Sequence, residues 1–191
     1  LNCPRGRFVT ASGGLLDEAS AARRGRGCVM GFPTSWRREV SELSDRARGH
    51  VVVLGVGHAL KADDAAGSVV AEELHSRFPE RAFDGGQAPE NYMGPLRLSA
   101  PDTVFVVDAA DFGGRPGEVR VASGSEVEGL MVGTHAPPLS ILMALISEET
   151  GADVYLVAIQ AASTELGGTM TPGVRAAIPG LVAELGRIME N

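Results

Sequence analysis

Val51–Gly67 reads VVVLGVGHALKADDAAG, and its interpretation decides the fold. Val51-Val52-Val53-Leu54 is apolar without alternation, as expected of a strand covered on both faces. The run breaks at Gly55-Val56-Gly57. A short polar loop follows, then the acidic pair Asp63-Asp64, then a helical pattern in which Ala66, Val70, Leu74 and Phe78 form one stripe before Pro79 stops it. Two carboxylates therefore fall where a strand hands over to a helix. In open α/β sheets, ligands and chemistry gather at that edge.

The rest of the chain repeats the alternation. Trp36, Val40, Leu43 and Ala47 make a helical stripe over residues 34–48, with Thr34 or Ser35 as cap. The first strand spans 50–56, and a second, short one spans 81–84 before the turn-permissive Gly85-Gly86. A helix turn or two is expected over 89–97, weakened by Gly94-Pro95. Further strands are expected over 103–107, ending at Asp108, over 118–122 with half-exposed alternation, and over 154–159. A helix over 138–149 should turn Leu139, Leu142, Leu145 and Ile146 inward. The last helix starts at Thr171-Pro172 and runs to about Met189, with Val174, Ile178, Leu181, Leu185 and Ile188 on its apolar face. Pro179-Gly180 should kink it. Strands alternating with helices predict a three-layer α/β/α sandwich with a mostly parallel sheet. Right-handed crossovers then bring most strand ends to one edge.

The chain has 191 residues, and residues 30–191 are expected to form one domain. Residues 1–29 read as a disordered tail or a non-native extension, rich in Gly, Ser, Ala and Arg. Translation is expected to begin at Met30, which the intact mass of protein made from the native gene would test. The net charge of −7 divides into +4 for residues 1–48 and −11 for residues 49–191. An acidic body argues against nucleic acid as a partner and suits a basic peptide or a cation. No apolar run is long enough to span a bilayer, and the first residues lack the apolar core of a signal peptide, so the cytoplasm is the expected compartment. Cys3 and Cys28 are the only cysteines, which excludes a thiol nucleophile or a cysteine-based zinc site in the body.

Asp64, Asp108 and His135 each lie just after a core strand or just before a helix. They are 44 and 27 residues apart, so only the topology could unite them. Two carboxylates and an imidazole suit a divalent transition metal, with coordination positions left for water or substrate. Each has a structural alternative: Asp64 as a helix cap, Asp108 as a turn residue, His135 as a second cap beside Thr134. Gly55-Val56-Gly57 begins like a dinucleotide fingerprint, but Leu60 stands in place of the third glycine. Neither a P-loop, nor HExxH, nor GxSxG is present. Lys61 reads as a surface cation.

The segment GVGHALKADDAAG resembles the GxGNxLxxDDGxG opening of the [NiFe]-hydrogenase maturation endopeptidases. Asp84–Gly94, DGGQAPENYMG, is similar to that family's DGGxAPENxxG. Val107–Gly113 with Pro116-Gly117-Glu118 resembles VDAxDxGxxPGE, and Gly133-Thr134-His135 with Pro138-Leu139-Ser140 resembles STHxxPLxxL. The likeness covers about residues 50–189, in order and with matching spacing. The APEN-containing segment is most like the branch serving formate-hydrogenlyase-type hydrogenases.

The resemblance implies a twisted five-stranded sheet of the phosphorylase/hydrolase-like group. It also implies an endopeptidase that removes a C-terminal peptide from a hydrogenase large-subunit precursor after nickel insertion. The implied metal ligands and catalytic residues are Asp64, Asp108 and His135, with Asp84, Gly85, Gly86 and Thr134 as substrate-binding positions. The implied metal is nickel, carried by the precursor. The resemblance names no resting metal of the enzyme's own, and the expected state is a monomer. A non-catalytic chaperone or metal sensor for the same precursor is the alternative. Two positions depart from the pattern. Ala65 replaces a glycine, and His58 replaces the usual Asn, where it could add a ligand, displace a loop hydrogen bond, or do neither. Asp63 is expected to cap the helix or brace Asp64.

Overall fold

Backbone pairing in the computed structural model builds a five-stranded sheet in the order β2-β1-β3-β5-β4. The structure describes residues 37–130 and 136–191; the expected tail, Cys3, Cys28, Met30, Trp36, Thr134 and His135 lie outside them. The strands are β1 (Val51–Val56), β2 (Ala82–Gly86), β3 (Thr103–Ala110), β4 (Val119–Ser123) and β5 (Asp153–Gln160). β1 pairs in parallel with β2 and β3, and β3 with β5, whereas β4 runs antiparallel at one edge. The described residues make one compact unit.

The unbroken apolar strands divide by parity, as side chains alternate across a sheet. Val51 and Val53 of β1 join Phe105, Val107, Val157 and Ile159 on one face. That face is covered by α1 (Arg37–Arg46), α2 (Ala66–His75) and α6 (Pro172–Met189), through residues such as Leu43, Val70, Leu74, Ile178 and Leu185. Val52 and Leu54 join Val104, Val106 and Leu156 on the other face. There the cover is α3 (Met93–Ser99), α4 (Gly124–Leu130) and α5 (Ala136–Thr150), through Leu96, Val127, Met143 and Ile146. These are the layers expected from the alternating pattern.

The elements differ from expectation in several places. β2 takes in Gly85-Gly86, and β3 continues past Asp108 to Ala110. The residues after the β1 loop form a 3-10 turn, Ala62–Ala65, before α2 begins at Ala66. Gly94-Pro95 does not interrupt α3, because both residues sit in its first turn, where no intrahelical N–H is needed. In α5, Leu145 is 37% exposed and Met143, at 1%, takes the inward place. Helix α4 was not anticipated, although Ser123-Gly124-Ser125-Glu126 carries the S-x-x-E signal of a helix start. The Ser123 backbone N–H and hydroxyl both donate to Glu126 Oε2 at 2.7 Å. The last helix continues through Pro179, which is exposed.

Candidate active site

The ends of β1 and β3 come together because glycine lets α2 settle onto them. A Cβ on Gly67 would lie 2.2 Å from the carbonyl oxygens of both Val56 and Val107. A Cβ on Gly55 would lie 2.2 Å from the Gly67 oxygen. Only bare backbone permits so close an approach. Gly57, at φ 150°, then turns the chain, and a Cβ there would meet the Asp64 carbonyl oxygen at 1.9 Å. The loop closes on itself: the His58 N–H donates to Asp64 O at 3.1 Å, and the Asp64 N–H to Lys61 O at 2.8 Å. The β1–β3 register places Gly55 against Val107, so Asp108 comes level with the start of this loop.

Asp64 and Asp108 accordingly line one cavity of about 530 Å³. Its walls include Val56, Gly57 and His58 from the β1 loop, Gly86 and Gln87 after β2, and Ala161 and Thr164 after β5. Burial pushes the Asp108 carboxyl up to about 8, and the Asp64 charge pushes in the same direction against the Ala109 N–H. A half-buried carboxylate facing a second one is an electrostatic arrangement that a cation or a shared proton relieves. Among the described residues, no group of three His, Cys, Asp or Glu side chains is placed to hold a metal ion. The pair supplies oxygen donors suited to a divalent metal, two short of a closed tetrahedral set. Thr134 and His135 lie outside the described residues, and the helix that follows them, α5, reaches the cavity through Leu139 and Leu142.

The other expected site residues have distinct places. Gly86 lines the cavity, while Asp84 accepts the Gly86 N–H at 3.0 Å and so shapes the turn. Gly85 is buried behind it, where a Cβ would meet Pro89 at 2.9 Å. His58 borders the cavity, and its Nδ1 accepts the Leu60 N–H at 3.2 Å. This is the loop hydrogen bond an asparagine side-chain oxygen could accept, so the imidazole fills a turn-forming role. Lys61, expected at the surface, is a half-buried part of the cavity wall.

Asp63 neither caps α2 nor makes a cap bond in the 3-10 turn. It is 0% exposed and reaches the β5–α6 loop. Its Oδ2 accepts the N–H groups of Ala162 at 2.8 Å and Ser163 at 3.1 Å, and the Thr171 hydroxyl at 2.9 Å. Its Oδ1 accepts the Thr171 N–H at 2.6 Å. Burial alone would raise its pKa, but these donors outweigh burial and hold the carboxyl below its ordinary value.

Gln160 plays a comparable part and was not singled out in the sequence. Its Oε1 accepts the N–H groups of Phe112 and Gly114, each at 2.9 Å, and its Nε2 donates to Asp111 Oδ1 at 3.1 Å. It thereby sets the β3–β4 loop beside Asp108. Its signal was the one that marked Asp108, a polar residue at the end of an apolar core strand.

The sequence model of the hydrogenase maturation proteases matches residues 69–188. The chain is 35% identical over 108 residues to the hydrogenase 3 maturation protease of Escherichia coli K12, covering 55% of this chain and 69% of that one. It is 31% identical over 155 residues to the hydrogenase expression/formation protein HupM of Azotobacter chroococcum, covering 74% of this chain and 73% of that protein. In three dimensions it is similar to the crystal structure of the [NiFe] hydrogenase maturation protease HycI from Thermococcus kodakarensis. The TM-score is 0.71 at 34% identity, over 78% of this chain and 99% of that one.

Proposed function

The chain belongs to the hydrogenase maturation protease family, and from that membership we propose its substrate and its chemistry. It is an endopeptidase that removes the C-terminal peptide of a [NiFe]-hydrogenase large-subunit precursor. The observation that carries the site assignment is the shared cavity of Asp64 and Asp108, built by the Gly55–Gly67 approach. The precursor is that of a formate-hydrogenlyase-type enzyme, a reading supported by the likeness to the hydrogenase 3 maturation protease.

Nickel enters as part of the substrate. The precursor presents a metal already inserted, and Asp64, Asp108 and His135 recognise it, which makes cleavage conditional on nickel loading. The acidic pair supports this reading, since a positive centre relieves its repulsion. Water then attacks the scissile carbonyl. An ionised carboxylate of the pair takes the water's proton, and the proton passes to the leaving amine as the C–N bond breaks. Nickel held between the precursor and Asp64, Asp108 and His135 would supply Lewis-acid polarisation as the alternative route. The chain acts in the cytoplasm and as a monomer. Among the described residues no helix is long and apolar enough to cross a membrane.

The test is incubation of purified precursor with wild type, Asp64→Asn, Asp108→Asn and His135→Ala, followed by intact-mass measurement. Loss of C-terminal processing in each variant is expected. Normal processing by all three removes the site assignment, and equal cleavage of nickel-free precursor removes the nickel requirement.

A further inference from the structure

Among the described residues, one positively charged side chain lines the acidic cavity. Lys61 shares that wall with Asp64, Glu90, Asp108 and Asp111. Its backbone is fixed from several sides. The Lys61 N–H donates to His58 O at 2.9 Å, and the Lys61 oxygen accepts the Asp64 N–H at 2.8 Å. An antiparallel bridge joins Lys61 to Leu166 in the β5–α6 loop. Its root is therefore held close to Asp64, on the loop that the Asp63 carboxylate ties to Thr171.

The Lys61 side chain is half-buried, yet among the described residues it enters no ion pair and makes no hydrogen bond. Nor does it offset the carboxylate repulsion. Burial and the Asp64 charge raise the Asp108 carboxyl, and the opposing contribution comes from the Ala109 N–H. An ammonium partly withdrawn from water and left unpaired is ready to meet an incoming oxygen. The other side-chain donors of the wall bring no charge. Gln87 and Thr164 are neutral, and the His58 Nδ1 accepts the Leu60 N–H and so carries no proton. Amide hydrolysis creates a new negative charge when water adds to the carbonyl and the C=O electron pair moves onto oxygen. In a wall that already holds Asp64, Glu90, Asp108 and Asp111, that oxyanion is disfavoured unless a positive group meets it.

We propose that the Lys61 ammonium holds the carbonyl oxygen of the scissile bond as it becomes an oxyanion, which makes Lys61 a catalytic residue of this site. This rests on the proposed function, and it gives the carboxylate route an electrophile from the chain itself. The water oxygen bonds to the carbonyl carbon, and its proton goes to the ionised carboxylate. The oxyanion forms against Nζ, and the lysine keeps its protons. Collapse restores the C=O bond and breaks the C–N bond, and the proton passes from the carboxyl to the departing amine.

The experiment compares wild type, Lys61→Met and Lys61→Arg on purified nickel-loaded precursor, reading kcat and KM by intact-mass time courses and stability by thermal unfolding. Lys61→Met keeps an unbranched stem and removes the charge. It is expected to lower kcat by about 10²–10³-fold, the scale of one lost oxyanion donor, with KM within about threefold and unfolding unchanged. Lys61→Arg keeps a positive donor and is expected to exceed the Lys61→Met kcat by about tenfold or more. A Lys61→Met kcat within about twofold of wild type overturns the proposal, as does a raised KM at unchanged kcat, which marks a ground-state contact. Lys61→Arg no better than Lys61→Met, or a fall in kcat that follows loss of folded protein, gives Lys61 a structural part and overturns the proposal as well. Each of these results leaves the proposed function standing. Precursor left uncut by the wild type overturns the proposed function, and the role of Lys61 with it.

Discussion

The carboxylate of Asp63 accepts both the backbone N–H and the hydroxyl of Thr171, at 2.6 and 2.9 Å, across 108 positions of sequence. This pair ties the loop carrying Asp64 to the start of the last helix. Replacing Asp63 by Asn turns one acceptor into a donor that faces donors. Asp63→Asn is expected to lower stability by about 2–4 kcal/mol. Urea denaturation at neutral pH measures it, and a change within experimental scatter would show that the loop stands without the clamp.

The carboxylate pair should show the opposite balance of stability and function. Burial and the Asp64 charge place the Asp108 carboxyl at about 8, so ionisation of Asp108 opposes folding. Asp108→Asn is expected to abolish precursor processing, by ~10³-fold or more, while leaving thermal stability unchanged or raised. A variant that loses activity because it unfolds would contradict this. Paired melting curves and processing assays separate the two outcomes.

Gly67 is expected to tolerate no side chain. Gly67→Ala places a methyl carbon 2.2 Å from two carbonyl oxygens of the sheet, so α2 must lift away from β1 and β3. A loss of about 3 kcal/mol or more is expected, along with loss of processing. Chemical denaturation and circular dichroism of the purified variant measure it; wild-type stability would show that the helix moves without cost.

His58 makes a substitution experiment with a clear sign. Its Nδ1 accepts the Leu60 N–H at 3.2 Å, a bond that Asn can make and Ala cannot. His58→Asn should retain processing, whereas His58→Ala should lose stability by about 1 kcal/mol and show reduced turnover. Abolished processing in His58→Asn would point instead to a role for the imidazole beyond the loop.

Glu126 gives a pH dependence away from the site. The Ser123 N–H and hydroxyl hold its carboxyl below the ordinary value of 4.5, against a small opposing effect of burial and with help from Arg46. A depressed carboxylate stabilises fully above its unfolded value and loses that contribution as pH falls through its folded value. The stability difference between wild type and Glu126→Gln, measured by urea midpoint, should therefore shrink from pH 7 to pH 3. A difference independent of pH would remove the capping role. Because Glu126 is exposed, its contribution at neutral pH is of the order of a helix cap, about 0.5–1 kcal/mol.

The local code carried most of the fold. Unbroken apolar runs at Val51–Leu54 and Thr103–Val107 mark buried parallel strands, and the 3.6-residue stripes from Val174 to Ile188 and Ala66 to Leu74 mark the helices that cover them. These signals are short-range, so they survive in the sequence by itself. The same holds for the positions of Asp64 and Asp108 beside strand ends, and for the linked motifs that resemble the family. Tertiary structure alone decided what those residues meet. The sequence could not show that Asp63 spans to Thr171 and that Gln160 braces Phe112 and Gly114, because both partnerships join residues far apart in the chain. Nor could it show that Leu60 and Leu166 stand in water on a bridged ribbon, because apolar residues are ordinarily read as core. Periodicity reports which face of an element is buried. Only the folded chain shows which side chains share a cavity, whose charges act on one another, and which apolar groups remain exposed.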